Sequence, residues 1–250
     1  RQHMITGSIV ALVTPMHPDG GIDWQGLERL LDLHVEAGTA AIGAVGTTGE
    51  SATLSVPEHC EFIRYCVDYL RGRLPVIAGT GSNSTVEAIE LTTAAAEAGA
   101  AYCLLVTPYY NRPTQRGLYE HFRCVAQAVD IPQILYNVPG RTAVDLHNDT
   151  VIQLSGVANI VGIKDATGDL SRVPVLRQAC GENFAIYSAA EIDQRLAPLY
   201  TALYLEANPI PVKWALQQQG LIGGGIRLPM TELDERFHAE VNAALRAVGV

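Results

Sequence analysis

The 250-residue chain has no apolar stretch approaching the roughly 18 residues that cross a bilayer, so no membrane-spanning helix is expected. It also lacks any block of basic residues. Its 17 lysines and arginines are scattered among 26 carboxylates, for a formal charge of −9 and a pI near 5.2. That balance excludes nucleic acid and anionic membrane surfaces as expected partners. Seven histidines form no His-x-His or His-x-x-x-His pair, and Cys60, Cys66, Cys103, Cys124 and Cys180 form no Cys-x-x-Cys pair. Metal-ligand spacing is therefore missing, and the cysteines read as reduced thiols of a cytoplasmic protein. No Gly-x-Gly-x-x-Gly follows the first strand-like run, which disfavours a dinucleotide fold. The opening Arg1-Gln2-His3-Met4 carries no apolar signal core, and residues 1–3 read as a tag remnant before Met4.

What the chain does have is 48% hydrophobic residues, enough for one large α/β core. Short Val/Ile-rich runs at 8–13, 40–45, 75–78, 102–107, 133–137, 160–164 and 184–188 predict strands. Amphipathic stretches at 24–37, 56–71, 86–98, 117–128, 148–154 and 170–179 predict the intervening helices. Asp23, Ser55 and Ser84 or Thr85 suit N-caps, while Gly38, Gly72, Gly99 and Gly181 suit C-terminal stops. Seven βα repeats of similar length predict a barrel over residues 4–190. Residues 191–250 predict a helical tail, with helices over 192–205, 212–219 and 232–248. The sequence Asn208-Pro209-Ile210-Pro211 reads as a break between the first two, and Gly220 to Gly225 as a loop.

Catalytic groups of a βα barrel sit where strands end. Lys164 closes the run Ile160-Val161-Gly162-Ile163, and a lysine held there in a dry setting becomes an uncharged nucleophile able to attack a carbonyl. A lone lysine at a strand end more often reaches out into water, so the reading leans on the other strand ends. Gly46-Thr47-Thr48-Gly49-Glu50-Ser51 offers close backbone approach and hydroxyls for a carboxylate. Thr107-Pro108-Tyr109-Tyr110-Asn111 and Tyr136-Asn137-Val138-Pro139-Gly140-Arg141-Thr142 add tyrosines that can relay protons and a guanidinium fork for a second carboxylate.

These four strand-end motifs together, with Gly162-Ile163-Lys164-Asp165 as the last, resemble the dihydrodipicolinate synthases, within the Schiff-base aldolase family that also contains N-acetylneuraminate lyase. The resemblance runs from about Ile5 to Ser188 and resumes near Asp193, taking in Glu206-Ala207-Asn208-Pro209-Ile210-Pro211-Val212-Lys213. It implies a (β/α)8-type TIM barrel and a lyase in lysine and diaminopimelate biosynthesis. Lys164 is implied to condense with pyruvate, without any cofactor, and the enamine to attack aspartate semialdehyde. Tyr136, Thr47 and Tyr110 are implied as a proton relay, with Tyr110 supplied by a neighbouring subunit of a dimer or tetramer. Gly46, Thr47 and Thr48 are implied to hold the pyruvate carboxylate and Arg141 that of the semialdehyde. Ala52, His59, Gly81, Asn83, Glu87 and Tyr109 match a lysine effector site, although Val56 stands where inhibited members can carry a histidine.

One departure is large. The family's barrel has eight strands and this sequence shows seven, because Ala189-Ala190-Glu191-Ile192-Asp193 runs straight into the late helix. A βα unit is expected to be missing, and the two free strand edges are expected to drive association. Three function readings follow: a dihydrodipicolinate synthase, another pyruvate aldolase acting on a sugar acid, or a catalytically impaired scaffold.

Overall fold

The computed structural model describes residues 4–188 and 196–249. In chain order the elements are β1 (Ile9–Ala11), α1 (Trp24–Glu36), β2 (Ala41–Ala44), α2 (Val56–Leu70), β3 (Val76–Gly79), α3 (Thr85–Glu97), β4 (Tyr102–Val106), α4 (Gln115–Ala128), β5 (Gln133–Asn137), the single turn α5 (Pro139–Thr142), α6 (Asn148–Leu154), β6 (Ile160–Asp165), α7 (Arg172–Cys180), β7 (Ala185–Ser188), α8 (Ala197–Ala202), α9 (Ile210–Gln218) and α10 (Glu235–Ala247). The seven expected strands are all present, some of them shorter than their apolar runs suggest. All pair in parallel in sequence order, β1 through β7.

Local chemistry sets the helix starts. Asp23, Ser55 and Ser84 each accept a backbone N–H from the first turn, and Ser55 with Glu58 completes a reciprocal capping box. Gly38, Gly72, Gly99 and Gly181 sit just past helix ends with φ between +68° and +88°, a region open to glycine without strain.

Two apolar layers follow from the strand alternation. Leu12, Ile42, Ala44, Ala78, Cys103, Leu105, Leu135 and Ile163 face outward and pack under the helices, against residues such as Phe62, Phe122 and Leu154. Ile9, Ala41, Ile77, Tyr102, Leu104, Ile134, Val161 and Tyr187 face the other way and meet one another. Their meeting shows that the sheet curls, and the Tyr187 hydroxyl donates across the opening to the carbonyl of Ile5 at 3.1 Å. Among the described residues β1 and β7 share no ladder, so each keeps one free edge.

The C-terminal helices carry a satellite core of Ala202, Ile210, Trp214, Leu233, Val241 and Leu245. Three expectations change here. The expected break at Asn208-Pro209-Ile210-Pro211 is the start of α9, because proline in a first turn gives up only an N–H that has no helical partner. Helix α8 is confined to six residues within the expected 192–205, and α10 begins at Glu235 behind the Asp234 cap rather than at 232. Residues 1–3, the expected boundary near 190 and the first part of the 192–205 helix lie outside the described residues. The loop before α10 lies close against the barrel: a Cβ on Gly225 would stand 2.1 Å from the carbonyl oxygen of His17.

Candidate active site

The chain leaves β2 through Val45 at φ 55° and coils tightly through Gly46 to Glu50. The Gly49 and Glu50 amides donate back to the carbonyls of Gly46 and Thr47 at 3.0 and 3.1 Å. Glu50 also has positive φ, 57°, and a non-glycine residue held there costs on the order of 1 kcal/mol that surrounding contacts must offset. Those contacts come from far along the chain. Thr14 Oγ1 donates to the Gly49 carbonyl at 2.6 Å. The Glu50 carboxylate, 1% exposed, is paired with the Lys213 ammonium of α9, 5% exposed. Burial lowers the Lys213 pKa, and the Glu50 contact opposes that shift without cancelling it. The Arg227 amide donates to Glu50 Oε2 at 3.3 Å, and Asn208 Nδ2 donates to Thr48 Oγ1 at 2.8 Å.

Tyr136 and Lys164 are register partners on β5 and β6, so their side chains leave the same inner face. Lys164 Nζ stands 4.6 Å from the Tyr136 ring centroid. Among the described residues no carboxylate pairs with this ammonium, and desolvation alone lowers its pKa. Burial pushes the Tyr136 phenol above its ordinary value, while Arg141 and a hydrogen bond with Thr47 pull the other way. Thr47, Tyr136 and Lys164 therefore form a continuous chain from the β2 loop to the β6 strand.

Arg141 leaves the turn α5 directly after β5 and is exposed. Outward-facing groups fix that turn. Asn137 donates to Asp145 Oδ1 at 2.7 Å, Arg172 pairs with the same oxygen at 2.8 Å, and Thr107 Oγ1 donates to Thr142 Oγ1 at 3.2 Å.

A cavity of about 350 Å³ opens above these residues, lined by Thr47, Glu50, Arg141, Thr142 and Asn208 on one side. Its other side carries Ala52, Val56, His59, Gly81, Glu87 and Tyr109. Of the expected catalytic and substrate residues, Thr47 and Arg141 thus line the same opening as five of the six expected effector residues. Lys164 and Tyr136 are not in its lining and connect to it through Thr47. His59 is buried and its ring Nε2 lies 2.7 Å from the Gly79 carbonyl; burial lowers its pKa. Gly81 has a packing reason too, since a Cβ there would stand 2.3 Å from the Val106 amide nitrogen. Asn83 lies behind the wall, donating to the Tyr109 carbonyl at 3.1 Å while Asn111 donates to the Asn83 carbonyl at 2.8 Å. Tyr110 alone stands apart: it is 90% exposed at φ 72° and contacts none of the other relay residues in its own chain.

The sequence reading did not single out Asn208, Lys213, Arg227 or Tyr204 as parts of the site. Tyr204 lies near enough for its charge to raise the Tyr136 pKa. The Asn-Pro-Ile-Pro-x-Lys run was the available signal, but nothing local reveals that its polar residues reach back some 160 positions to the β2 loop.

The sequence profile of the Dihydrodipicolinate synthetase family matches residues 4–192 and 188–248. Among curated proteins, the 4-hydroxy-tetrahydrodipicolinate synthase of Thioalkalivibrio sulfidiphilus is 54% identical over 290 aligned positions, taking in 99% of each chain. A crystal structure of the chloride-inhibited dihydrodipicolinate synthase from Acinetobacter baumannii complexed with pyruvate superimposes with a TM-score of 0.95 at 47% identity, covering 99% of this chain and 100% of that one. The dihydrodipicolinate synthase of Cyanidioschyzon merolae with lysine bound gives a TM-score of 0.95 at 35% identity, covering 99% of both chains. A curled, seven-stranded parallel sheet with helices outside it and polar side chains gathered at its strand ends defines an enzyme of the βα-barrel kind. The chain belongs to the dihydrodipicolinate synthetase family.

Two outcomes follow from the electrostatics. Because the folded chain holds Lys164 at a lowered pKa, the buried charge costs stability in full below that pKa. The cost fades as pH rises toward the ordinary value of 10.5, where the unfolded chain also releases its proton. Lys164→Met is therefore expected to raise the thermal midpoint at pH 7, with a gain that shrinks steadily toward pH 10.5; a gain independent of pH contradicts this. Lys213→Met leaves Glu50 buried and unpaired and should lower the unfolding free energy by about 3–5 kcal/mol in urea titration. Adding Glu50→Gln should recover most of it.

Proposed function

We propose that this chain is a dihydrodipicolinate synthase, condensing pyruvate with aspartate semialdehyde through a Schiff base on Lys164. The observation that carries the reading is a half-buried lysine amine on the inner face of the sheet, with no counterion among the described residues and the Tyr136 ring beside it. Its lone pair attacks the keto carbon of pyruvate, water leaves, and the protonated imine acts as electron sink. Loss of a methyl proton gives the enamine, whose carbon attacks the aldehyde. Tyr136, with the Thr47 hydroxyl behind it, moves the protons that these steps release and consume. Gly46 and Thr48 hold the pyruvate carboxylate. Arg141 holds the carboxylate of the incoming semialdehyde, which favours a short anionic acceptor over a polyol sugar acid. The lysine amine itself supplies the electrophilic activation, so no metal or organic cofactor is needed. Five free thiols fit a reducing compartment such as the cytoplasm.

The working unit is an oligomer of this chain. Tyr110 is exposed on its own chain and is free to complete the relay of a neighbour. The chain also lacks one βα unit of the family barrel between β7 and α8. The profile matches in two segments that overlap at 188–192, and alignment to a relative takes 290 positions against 250 residues here. The free edges of β1 and β7 add a second cause for association. Ala52, His59, Gly81, Glu87 and Tyr109, with Asn83 behind them, form a pocket for lysine as effector, in the same cavity that Arg141 lines. The missing unit favours one second reading, a scaffold of the same fold that no longer turns over.

Borohydride reduction in the presence of pyruvate should leave a reduced adduct on Lys164, seen by intact and peptide mass. It should be absent from Lys164→Arg, whose turnover with both substrates should fall by roughly 10³ or more, as for loss of other covalent nucleophiles. An adduct without turnover identifies the scaffold; no adduct at saturating pyruvate rejects the Schiff-base reading. Sedimentation velocity at micromolar concentration should show dimers or larger species, and mixing inactive Tyr110→Phe and Lys164→Arg chains should restore part of the activity. A fully active monomer contradicts the shared relay.

A further inference from the structure

We propose that Asn208 is a positioning residue that sets the donor direction of the Thr48 hydroxyl, which makes the C-terminal segment a working part of the pyruvate site. The proposal deepens the functional reading above and rests on Thr48 binding the pyruvate carboxylate. A threonine hydroxyl has one proton to give and two lone pairs to receive with, and a carboxylate can only receive. Thr48 must therefore spend its proton on the substrate. Asn208 Nδ2 donates into Thr48 Oγ1 at 2.8 Å, which occupies a lone pair and leaves the proton free. Among the described residues this is the one hydrogen bond that the Thr48 side chain makes.

The amide is held firmly enough to act this way. Asn208 lies directly before Pro209, the cap of α9, where the Ile210 amide donates to the Ala207 carbonyl at 2.9 Å and the Lys213 amide to the Pro209 carbonyl at 2.9 Å. Lys213, about one turn further along α9, pairs with Glu50, two residues past Thr48. The helix start and the β2 loop thus meet at two points in matching order. Asn208 also lines the cavity beside Thr47 and Glu50.

The test separates hydrogen-bond polarity from bulk. Asn208→Asp keeps the volume but turns the donor into an acceptor, which captures the Thr48 proton and sets a negative charge toward the substrate. Asn208→Ala removes the donor and leaves the hydroxyl unguided. The readout is the pyruvate concentration that gives half-maximal borohydride trapping of Lys164, alongside KM and kcat. Half-saturation should rise roughly 10-fold in Asn208→Ala and about 100-fold in Asn208→Asp, the scale of one and two charge-assisted hydrogen bonds. The trapping plateau and the KM for aspartate semialdehyde should stay within about two-fold. In a Thr48→Val background the two Asn208 variants should differ by no more than their charge explains, and Asn208→Ala should add nothing. Unchanged half-saturation in both folded variants, a larger effect of alanine than of aspartate, or full additivity with Thr48→Val overturns the proposal. If the parent chain traps no pyruvate at all, the Schiff-base reading fails first and this inference falls with it.

Discussion

One constraint organises this end of the sheet: Lys164 lies half-buried on its inner face, where desolvation lowers its pKa and, among the described residues, no carboxylate pairs with its ammonium. An ion pair at this position would hold the proton and silence the amine, and free solvent would do the same. The register of β5 against β6 resolves this by placing a phenol ring in the position where a counterion would otherwise sit. The neighbouring residue Asp165 faces the opposite way, accepting from Thr167 at 2.9 Å and lying 3.7 Å from Arg172. A shift of one residue in this ladder would exchange the two side chains and place a carboxylate in the barrel. Strand register therefore sets the electrostatics at this strand end as well as its packing.

Charge is handled oppositely at the end of β2. The β2 loop carries a carboxylate, Glu50, that is as buried as any group in the chain, and this one is paired. Pairing suits a group whose task is to hold a strained turn in place, just as its absence suits a nucleophile. The partner comes from α9 rather than from the barrel, and Arg227 extends the same clamp to Glu58 at 2.6 Å and to the Thr53 carbonyl at 2.8 Å. Arg227 and the Ser55 cap hold the Glu58 carboxyl down at about 2, so the clamp stays charged through the whole neutral range. The tail helices are thus bound to the site by ionic contacts and to one another by an apolar core.

Much of this was legible from local signals. Alternating runs gave all seven strands, and Asp23, Ser55 and Ser84 gave helix starts, because a cap and a period are written in adjacent residues. Lys164, Tyr136, Thr47 and Arg141 were legible for a related reason: barrel geometry sends every strand end to the same rim. The start of α9 was misread because proline signals a break without saying on which side of it the helix lies. Asn208, Lys213 and Arg227 stayed hidden because their partners are at Thr48, Glu50 and Glu58, and no periodicity encodes a contact across that distance. Tyr110 was placed by resemblance alone, and a single chain gives it no partner in the relay.

The short stretch between β7 and α8 matters because of where it falls. The site residues after β4 and β5 lie well inside the sheet, whereas those after β2 and on β6 each lie one strand in from an edge. Lys164 is on β6, and only β7 separates it from the free edge. Tyr187 is the register partner of Lys164 on that last strand, half-buried, and its hydroxyl crosses the opening to the Ile5 carbonyl. Among the described residues β1 and β7 share no ladder, so this hydrogen bond ties the last strand to the N-terminal segment across the seam. Burial is what lowers the Lys164 pKa, so the packing of the strands on either side of it, β5 and β7, bears directly on that shift.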